Sequence, residues 1–381
     1  VMPSLHLFTH EFHPFRGGIA TYCHEFAQAA AQAHHYDVTV HGPAGASVPN
    51  PSCGYTVSAG RHRGTHNPGC LLRSKRQLRQ ALKNQGTTFL LAEPGPILAY
   101  GLLRPKTAPI DLVITLHGSE IQRWQNNRLA RWLAMRSFTD ASTILTVSQP
   151  IAEMAQQAFP QCAHKVRAVC NALPAAFMQQ ATATQATPVE RPAAAEHFQI
   201  LSVGRLHPRK GYDQVIQAIA RLPAGLKDRV RYTVVGGRGK GHYDQALQQL
   251  AQHEGVHLTI ELDRSDQQLA ARYQQADLFC LTSVPYRNSV EGFGLVYLEA
   301  GAYGLPALAY DTGGVSDAVH DGATGRLIRT GDISALTRQL QRWIENPTPL
   351  QALGRAAREK ALSRTWADVV AASLTAPTAQ A

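Results

Sequence analysis

The sequence predicts an α/β protein made of two parallel-sheet domains, on three observations. An apolar run at residues 4–9, a glycine-bearing loop at 10–18, an alanine-rich helix at 19–33 and a second apolar run at 37–41 form a strand–loop–helix–strand unit, from which parallel sheets are built. The same succession restarts with a strand at 198–203, a loop at 204–211 and a helix at 212–221. Between the two series, residues 181–196 (ATATQATPVERPAAAE) carry two prolines and almost no bulky apolar side chain, and read as a linker. The expected division is 1–180, a linker at 181–197, a second domain at 198–362, and a final helix and tail at 363–381 that returns to the first domain.

In the first half, further strands are expected at 88–92, 112–116 and 143–147, with helices near 71–84, 128–139 and 150–158. In such a sheet, ligands bind at the C-terminal strand ends. Gly17 and Gly18 lie at one such end, where the backbone either approaches a ligand closely or merely turns. His117 lies at another, with Glu120 near enough in sequence to orient it. Arg73, Lys75, Arg76, Arg79 and Lys83 give one helix a basic face, and Arg123, Trp124, Arg128, Arg131, Trp132 and Arg136 interleave bases with tryptophans. Such a pattern suits an anionic membrane interface or a solvated charged face.

In the second half, Arg205 and Lys210 flank the loop after the first strand, placed to neutralise an anion or to sit on a surface turn. A strand at 231–235 runs into Gly236-Gly-Arg-Gly-Lys-Gly241, whose spacing fits neither the dinucleotide fingerprint nor the P-loop. A strand at 256–260, a helix at 267–275, a strand at 278–281 and a loop at 285–290 lead to Glu291-Gly292-Phe293-Gly294-Leu295-Val296-Tyr297-Leu298-Glu299. Gly292 and Gly294 form a loop that opens into a buried helix, and a helix N-terminus attracts phosphate. Helical rise would set the two carboxylates about 12 Å apart, too far to share one bond as glycosidase acids do at about 5 to 9.5 Å. They either hold the two ends of a long ligand or act as an N-cap and an ion-pair partner. Gly313 and Gly314 begin another helix, followed by amphipathic helices at 333–345 and 350–362 and a last one at 366–374.

With 381 residues, 44% apolar and 17% charged, the chain is an ordinary globular protein with room for two cores. Six cysteines without C-x-x-C or metal spacing suit a reducing cytoplasm. No apolar run reaches membrane-spanning length and no signal peptide is visible. The formal charge of +10 is uneven: residues 1–175 hold 16 Lys/Arg against 8 Asp/Glu, and residues 176–381 hold 21 against 19. A basic first half can face nucleic acid, an anionic lipid or an anionic acceptor, or serve solubility alone.

The stretch from Glu291 to Ala300, with Gly304-Leu-Pro306, Gly313-Gly314 and Asp321-Gly-Ala-Thr-Gly325, resembles the donor half of retaining glycosyltransferases of family 4; Val203-Gly-Arg205-Leu-His-Pro-Arg-Lys210-Gly211 is similar to their diphosphate motif. The likeness spans about residues 5–345, is more specific in the second half, and leans toward the phosphatidylinositol mannosyltransferase branch. It implies the GT-B fold, two Rossmann-like domains facing a central cleft, and a nucleotide-sugar donor (GDP-mannose, then UDP-glucose or UDP-N-acetylglucosamine) with a glycan, lipid-linked or small-molecule acceptor. By this resemblance Arg205 and Lys210 hold the diphosphate. Glu291, Gly292, Phe293, Gly294 and Leu295 meet the sugar, Glu299 the ribose hydroxyls, and Gly17, Gly18 and His117 the donor from the first domain. It implies no metal, no other cofactor and no nucleic acid, a cytoplasmic place with peripheral contact at the inner membrane face, and a role in bacterial envelope or exopolysaccharide assembly. The segment 261–263, near the base in relatives, departs from their apolar-plus-glycine pattern and leaves base identity open. An epimerase or phosphorylase of the same fold, a nicotinamide dehydrogenase and a non-catalytic carbohydrate- or lipid-binding module remain as alternatives.

Overall fold

The computed structural model describes residues 2–15, 17–61, 68–83, 87–105, 111–183, 196–237, 239 and 241–374. Most of the expected linker, and Arg238 and Lys240 of the glycine run, lie outside them. The chain divides into two units, Val1–Pro174 with Thr365–Ala381, and Ala175–Arg364. The sequence placed the first boundary at 180; the structure begins the second unit at 175, because helix Ala175–Ala183 packs against helix Leu295–Ala302 of that unit.

The first unit carries strands β1 (Ser4–Phe8), β2 (Asp37–Gly42), β3 (Thr56–Ala59), β4 (Thr87–Leu91), β5 (Asp111–Leu116), β6 (Thr143–Thr146) and β7 (Val166–Ala168). Its helices are α1 (Gly18–Gln32), α2 (Pro68–Ala81), α3 (Pro94–Leu103), α4 (Ser119–Gln125), α5 (Arg128–Asp140) and α6 (Gln149–Ala158). The second unit opens with α7 (Ala175–Ala183) and carries β8 (Phe198–Val203), β9 (Val230–Gly236), β10 (Leu258–Leu262), β11 (Leu278–Leu281), β12 (Ala307–Asp311) and β13 (Gly325–Arg329). Its other helices are α8 (Tyr212–Ala220), α9 (Ala224–Lys227), α10 (Tyr243–Glu254), α11 (Asp266–Gln275), α12 (Leu295–Ala302), α13 (Val315–Ala318), α14 (Ile333–Glu345) and α15 (Thr348–Leu362). The last helix, α16 (Trp366–Leu374), packs on α1 of the first unit, Trp366 edge-on to Tyr22 with ring centroids 5.5 Å apart.

Both sheets are parallel, in the orders β3-β2-β1-β4-β5-β6-β7 and β10-β9-β8-β11-β12-β13. Strands covered on both faces are mostly apolar: in β5, Leu112, Val113, Ile114 and Leu116 are each 1% exposed or less. Each strand order reverses direction once, between β1 and β4 and between β8 and β11. At such a switch point the connecting loops diverge and leave a crevice at the C-terminal strand ends. The loops carrying Gly17 and Gly18, Lys210, and Glu291 all start at these points.

Trp124 is not part of an aromatic surface: it is 3% exposed and packs edge-on against Phe138 and Phe159. Trp132 and Leu129 of α5 are exposed instead. None of the six cysteines forms a disulfide, and no helix among the described residues is long and apolar enough to cross a membrane.

Helices α12 and α15 approach closely because Gly301 and Gly354 lack side chains; a Cβ on Gly354 would lie 2.0 Å from the Gly304 carbonyl oxygen. Gly354→Ala should cost about 1–3 kcal/mol of stability, seen as a lower denaturant midpoint; an unchanged midpoint would show that this contact gives way freely.

Candidate functional site

The loop after β8 ends in a short 3₁₀ turn, Pro208–Lys210. His207 caps it by accepting from the Arg209 N–H through Nδ1 at 3.1 Å. Gly211 then takes φ +67°, and a Cβ there would sit 1.9 Å from the Thr282 carbonyl oxygen. Thr282 Oγ1 donates to the Gly211 carbonyl (2.7 Å), and the Val284 N–H donates to the Arg209 carbonyl (2.8 Å). The turn is thereby laced to the segment beyond β11, which leads to Glu291.

The Glu291 carboxylate accepts from Lys210 Nζ (2.7 Å), Ser283 Oγ (2.9 Å) and Arg209 Nη1 (3.0 Å). Burial alone would raise its pKa; the opposing charges of Lys210 and Arg209, then the Lys210 and Ser283 hydrogen bonds, bring it down to about 2. Burial acts on the Lys210 ammonium in the opposite sense, drawing its pKa down against the pull of Glu291. The geometry of two cations on one carboxylate favours the ionised pair. Arg209, which the sequence did not single out, joins Lys210 on this carboxylate; Arg205 is exposed, and its charge bears on Lys210 and His207. The positive field shows in His207, whose pKa is held low by burial first and then by Arg209, Arg205, Lys210 and Arg287.

Gly294 has φ +86° and caps α12, with Leu295 as the first helical residue; Phe293 is buried and Gly292 half-buried. The Glu291 backbone carbonyl accepts from the Gly314 N–H at 2.9 Å, and a Cβ on Gly313 would come within 2.1 Å of that oxygen. Glu299, on α12 itself, belongs to another environment. It accepts from the Tyr273 hydroxyl at 2.8 Å, and burial pushes its carboxyl above the usual range. The two glutamates of the motif are thus pushed in opposite directions. Glu261, in the segment that the family resemblance sets near the base, is buried in an ion-pair network with Arg272 and Arg264 (3.3 Å to the latter).

In the first unit, Gly17 precedes α1, and a Cβ on Gly18 would meet nothing within 4 Å. His117 Nε2 donates to the Ala92 carbonyl at 2.8 Å, which fixes the ring. Glu120 accepts from the His117 backbone N–H, so it fixes the turn rather than the ring. The sequence reading also missed Glu93, at the end of β4. It accepts from Thr9 Oγ1 (2.8 Å), the Glu11 N–H (3.0 Å) and the His10 N–H, tying down the loop that leads to Gly17. Burial first, and Glu11 second, raise its pKa to about 7. Among the described residues no group of three or more His, Cys, Asp or Glu gathers to hold a metal ion.

Two parallel α/β units, each with its loops opening at a sheet switch point, have the architecture of the GT-B fold. The family model for glycosyl transferases group 1 matches residues 185–360, and that for Glycosyltransferase Family 4 matches residues 16–177. The chain belongs to glycosyltransferase family 4. A GDP-mannose-dependent alpha-(1-6)-phosphatidylinositol monomannoside mannosyltransferase of Mycolicibacterium smegmatis is 28% identical over 370 residues, 93% of each chain. A D-inositol 3-phosphate glycosyltransferase of Streptomyces coelicolor is 35% identical over 173 residues, 44% of this chain and 37% of that protein. Among solved structures, Anabaena HepE in complex with UDP and glucose aligns with TM-score 0.71 at 20% identity, over 97% of this chain and 98% of its own. Sucrose-phosphate synthase from Thermosynechococcus elongatus aligns with TM-score 0.75 at 19% identity over 97% of each. These two show the fold.

Since the Glu291 carboxyl sits near 2 in the fold and 4.5 outside it, its pairing stabilises the protein above pH 4.5 and is lost as pH falls toward 2. Acidification from about pH 6 to about pH 3 should remove on the order of 1–3 kcal/mol through this group. Glu291→Gln should start less stable and show a shallower acid dependence in denaturant melts; equal slopes would contradict the pairing.

Proposed function

We propose that the chain is a retaining, metal-independent hexosyltransferase that moves a sugar from a nucleotide donor to a hydroxyl of a lipid-linked, glycan or small-molecule acceptor. GDP-mannose is the first donor to test, with UDP-glucose and UDP-N-acetylglucosamine next, and bacterial envelope or exopolysaccharide assembly is the setting. The observation that carries this reading is the pair of cations Arg209 and Lys210, held on Glu291 in the turn that follows β8 at a sheet switch point. Such a pair suits a diphosphate. The family membership and the mannosyltransferase relatives support a sugar donor.

In this reading Arg205, Arg209 and Lys210 offset the charge that builds on the diphosphate as the glycosidic C1–O bond breaks, a service fixed cations supply without a metal. Glu291 and the backbone of residues 292–295 orient the sugar, and Glu299 accepts from the ribose hydroxyls. The acceptor oxygen bonds to C1 from the face the phosphate leaves, and its proton passes to a phosphate oxygen, which preserves the anomeric configuration. Gly17, Gly18 and His117 are assigned to the donor by family resemblance.

Contact with an anionic bilayer belongs to the same proposal. Leu129 and Trp132 of α5 are 67% and 52% exposed, Arg136 lies over the Trp132 ring at 4.5 Å, and Arg128 is exposed beside them. On α2, Leu72, Arg73, Arg76 and Arg79 are exposed. An apolar centre ringed by bases is what an anionic interface recognises. Co-sedimentation with phosphatidylglycerol vesicles should fall several-fold in Leu129→Ala/Trp132→Ala; equal binding by wild type and variant would remove this face from the proposal.

For catalysis, Lys210→Ala and Glu299→Ala should each lower kcat/KM for GDP-mannose, with an inositol phospholipid acceptor, by about 10²-fold or more while the circular dichroism stays unchanged. Near-wild-type kinetics in both would sink the assignment.

A further inference from the structure

On the reading of Glu299 as the ribose ligand, that carboxylate must be held in place. We infer that Tyr273 is a positioning residue for nucleotide-sugar binding: it fixes one oxygen of Glu299 so that the other is presented to the ribose diol.

Tyr273 lies on α11, eleven residues past the end of β10, and is fully buried. Its hydroxyl donates to Glu299 Oε2 at 2.8 Å. Its ring is clamped. Tyr303 stacks on it with ring centroids 5.5 Å apart and planes 6° off parallel. Phe177 of α7 stands edge-on to both, at 6.0 Å from Tyr273 and 5.6 Å from Tyr303. Phe279 of β11 lies at 6.3 Å. A ring held by neighbours on α7, β11 and the end of α12 keeps its hydroxyl in one direction. Burial, reinforced by the Glu299 charge, drives the phenol far above its ordinary range, so Tyr273 keeps its proton and serves only as donor here.

Glu299 itself is half-buried, with part of its surface open, and the hydrogen bond occupies only Oε2. A carboxylate with one oxygen fixed and the other open suits a diol. Binding hydroxyl donors requires the ionised form. Four titratable groups from the surrounding elements bear on it: Tyr273 and Asp266 from α11, Tyr303 past α12, and Lys210 from the 3₁₀ turn. Burial raises the carboxyl, Asp266 adds to the rise, and Tyr273 and Lys210 oppose it. Removing the Tyr273 hydroxyl therefore both frees the carboxylate to rotate and favours its protonation.

The reach of α7 gives the clamp a second consequence. Phe177 is close to the start of the second unit, so the first helix of that unit bears directly on the ring that holds Glu299.

The test is Tyr273→Phe, which keeps the ring and deletes the donor, assayed with GDP-mannose across pH beside Glu299→Gln. A lost hydrogen bond to a charged group should raise the donor KM about 10-fold with kcat nearly unchanged, and the acid limb of kcat/KM should move to higher pH. A fall in melting temperature with KM and acid limb both unchanged would assign Tyr273 to packing alone and overturn the inference. Should Tyr273→Phe fail to fold, Phe177→Leu loosens the clamp while leaving the hydroxyl, and titration with GDP should show weaker binding; wild-type affinity there would also overturn it. The two readings separate cleanly: an unchanged KM in Glu299→Gln removes the ribose role itself, whereas a raised KM there with wild-type behaviour in Tyr273→Phe removes only the positioning role.

Discussion

A buried carboxylate must be compensated, and in the second unit that constraint organises everything around Glu291. One of its oxygens takes two cations and a hydroxyl, from the turn at 208–210 and from Ser283. Breaking one partner of a buried ion pair leaves an uncompensated charge and costs about 3–5 kcal/mol. The loops after β8 and β11 are therefore held together. Their glycines follow from the same closeness: Gly211 stands against the Thr282 carbonyl and Gly313 against the Glu291 carbonyl, with no room for a side chain at either position. The glycine spacing records how tightly backbone must pack to bring cations and carboxylate together.

The same charges give the site two settings. Around Glu291 the field is positive, and the carboxyl stays ionised well below its ordinary range. Around Glu299 burial dominates, with a single phenol as hydrogen-bond partner and Asp266 opposing ionisation. A ligand lying along α12 would meet an anion-attracting turn at one end and a hydroxyl-accepting carboxylate at the other. A sugar, a diphosphate and a ribose in sequence present that order of charges and hydroxyls. In the first unit, Glu93 performs the corresponding structural task with neutral donors, anchoring the loop from β1 to α1 through two backbone N–H groups and a threonine hydroxyl.

Strands buried on both faces were legible in the sequence because a parallel sheet makes them continuous apolar runs, as at β5 and β11. The edge strands β3 and β7 were missed: one is the mostly exposed TVSA, the other only three residues long. The helix α3 was missed because it is apolar around its whole circumference and so shows no 3.6-residue period, while α10 buries only Leu247 and Ala251 and reads as polar throughout. The strand β10 lies two residues later than expected, since Glu261, read as its boundary, is an interior residue satisfied by Arg272 and Arg264. Motif spacing marked Arg205, Lys210, Glu291 and Glu299. Arg209, Ser283 and Tyr273 depend on which segments the sheet order brings together, and spacing along the chain carries no such information. Arg209 did leave one trace, its place beside Lys210 in a turn opened by Pro208.

The proposed site binds a nucleotide diphosphate with positive charge supplied by side chains. The most direct measurement is a thermal-shift panel of GDP, UDP and ADP with their common sugars, in excess magnesium and in excess chelator. A ligand that binds only the folded protein raises the melting temperature by mass action. The account predicts a rise with one nucleotide, equal in magnesium and in chelator. A rise confined to magnesium, or no rise with any nucleotide, would contradict it.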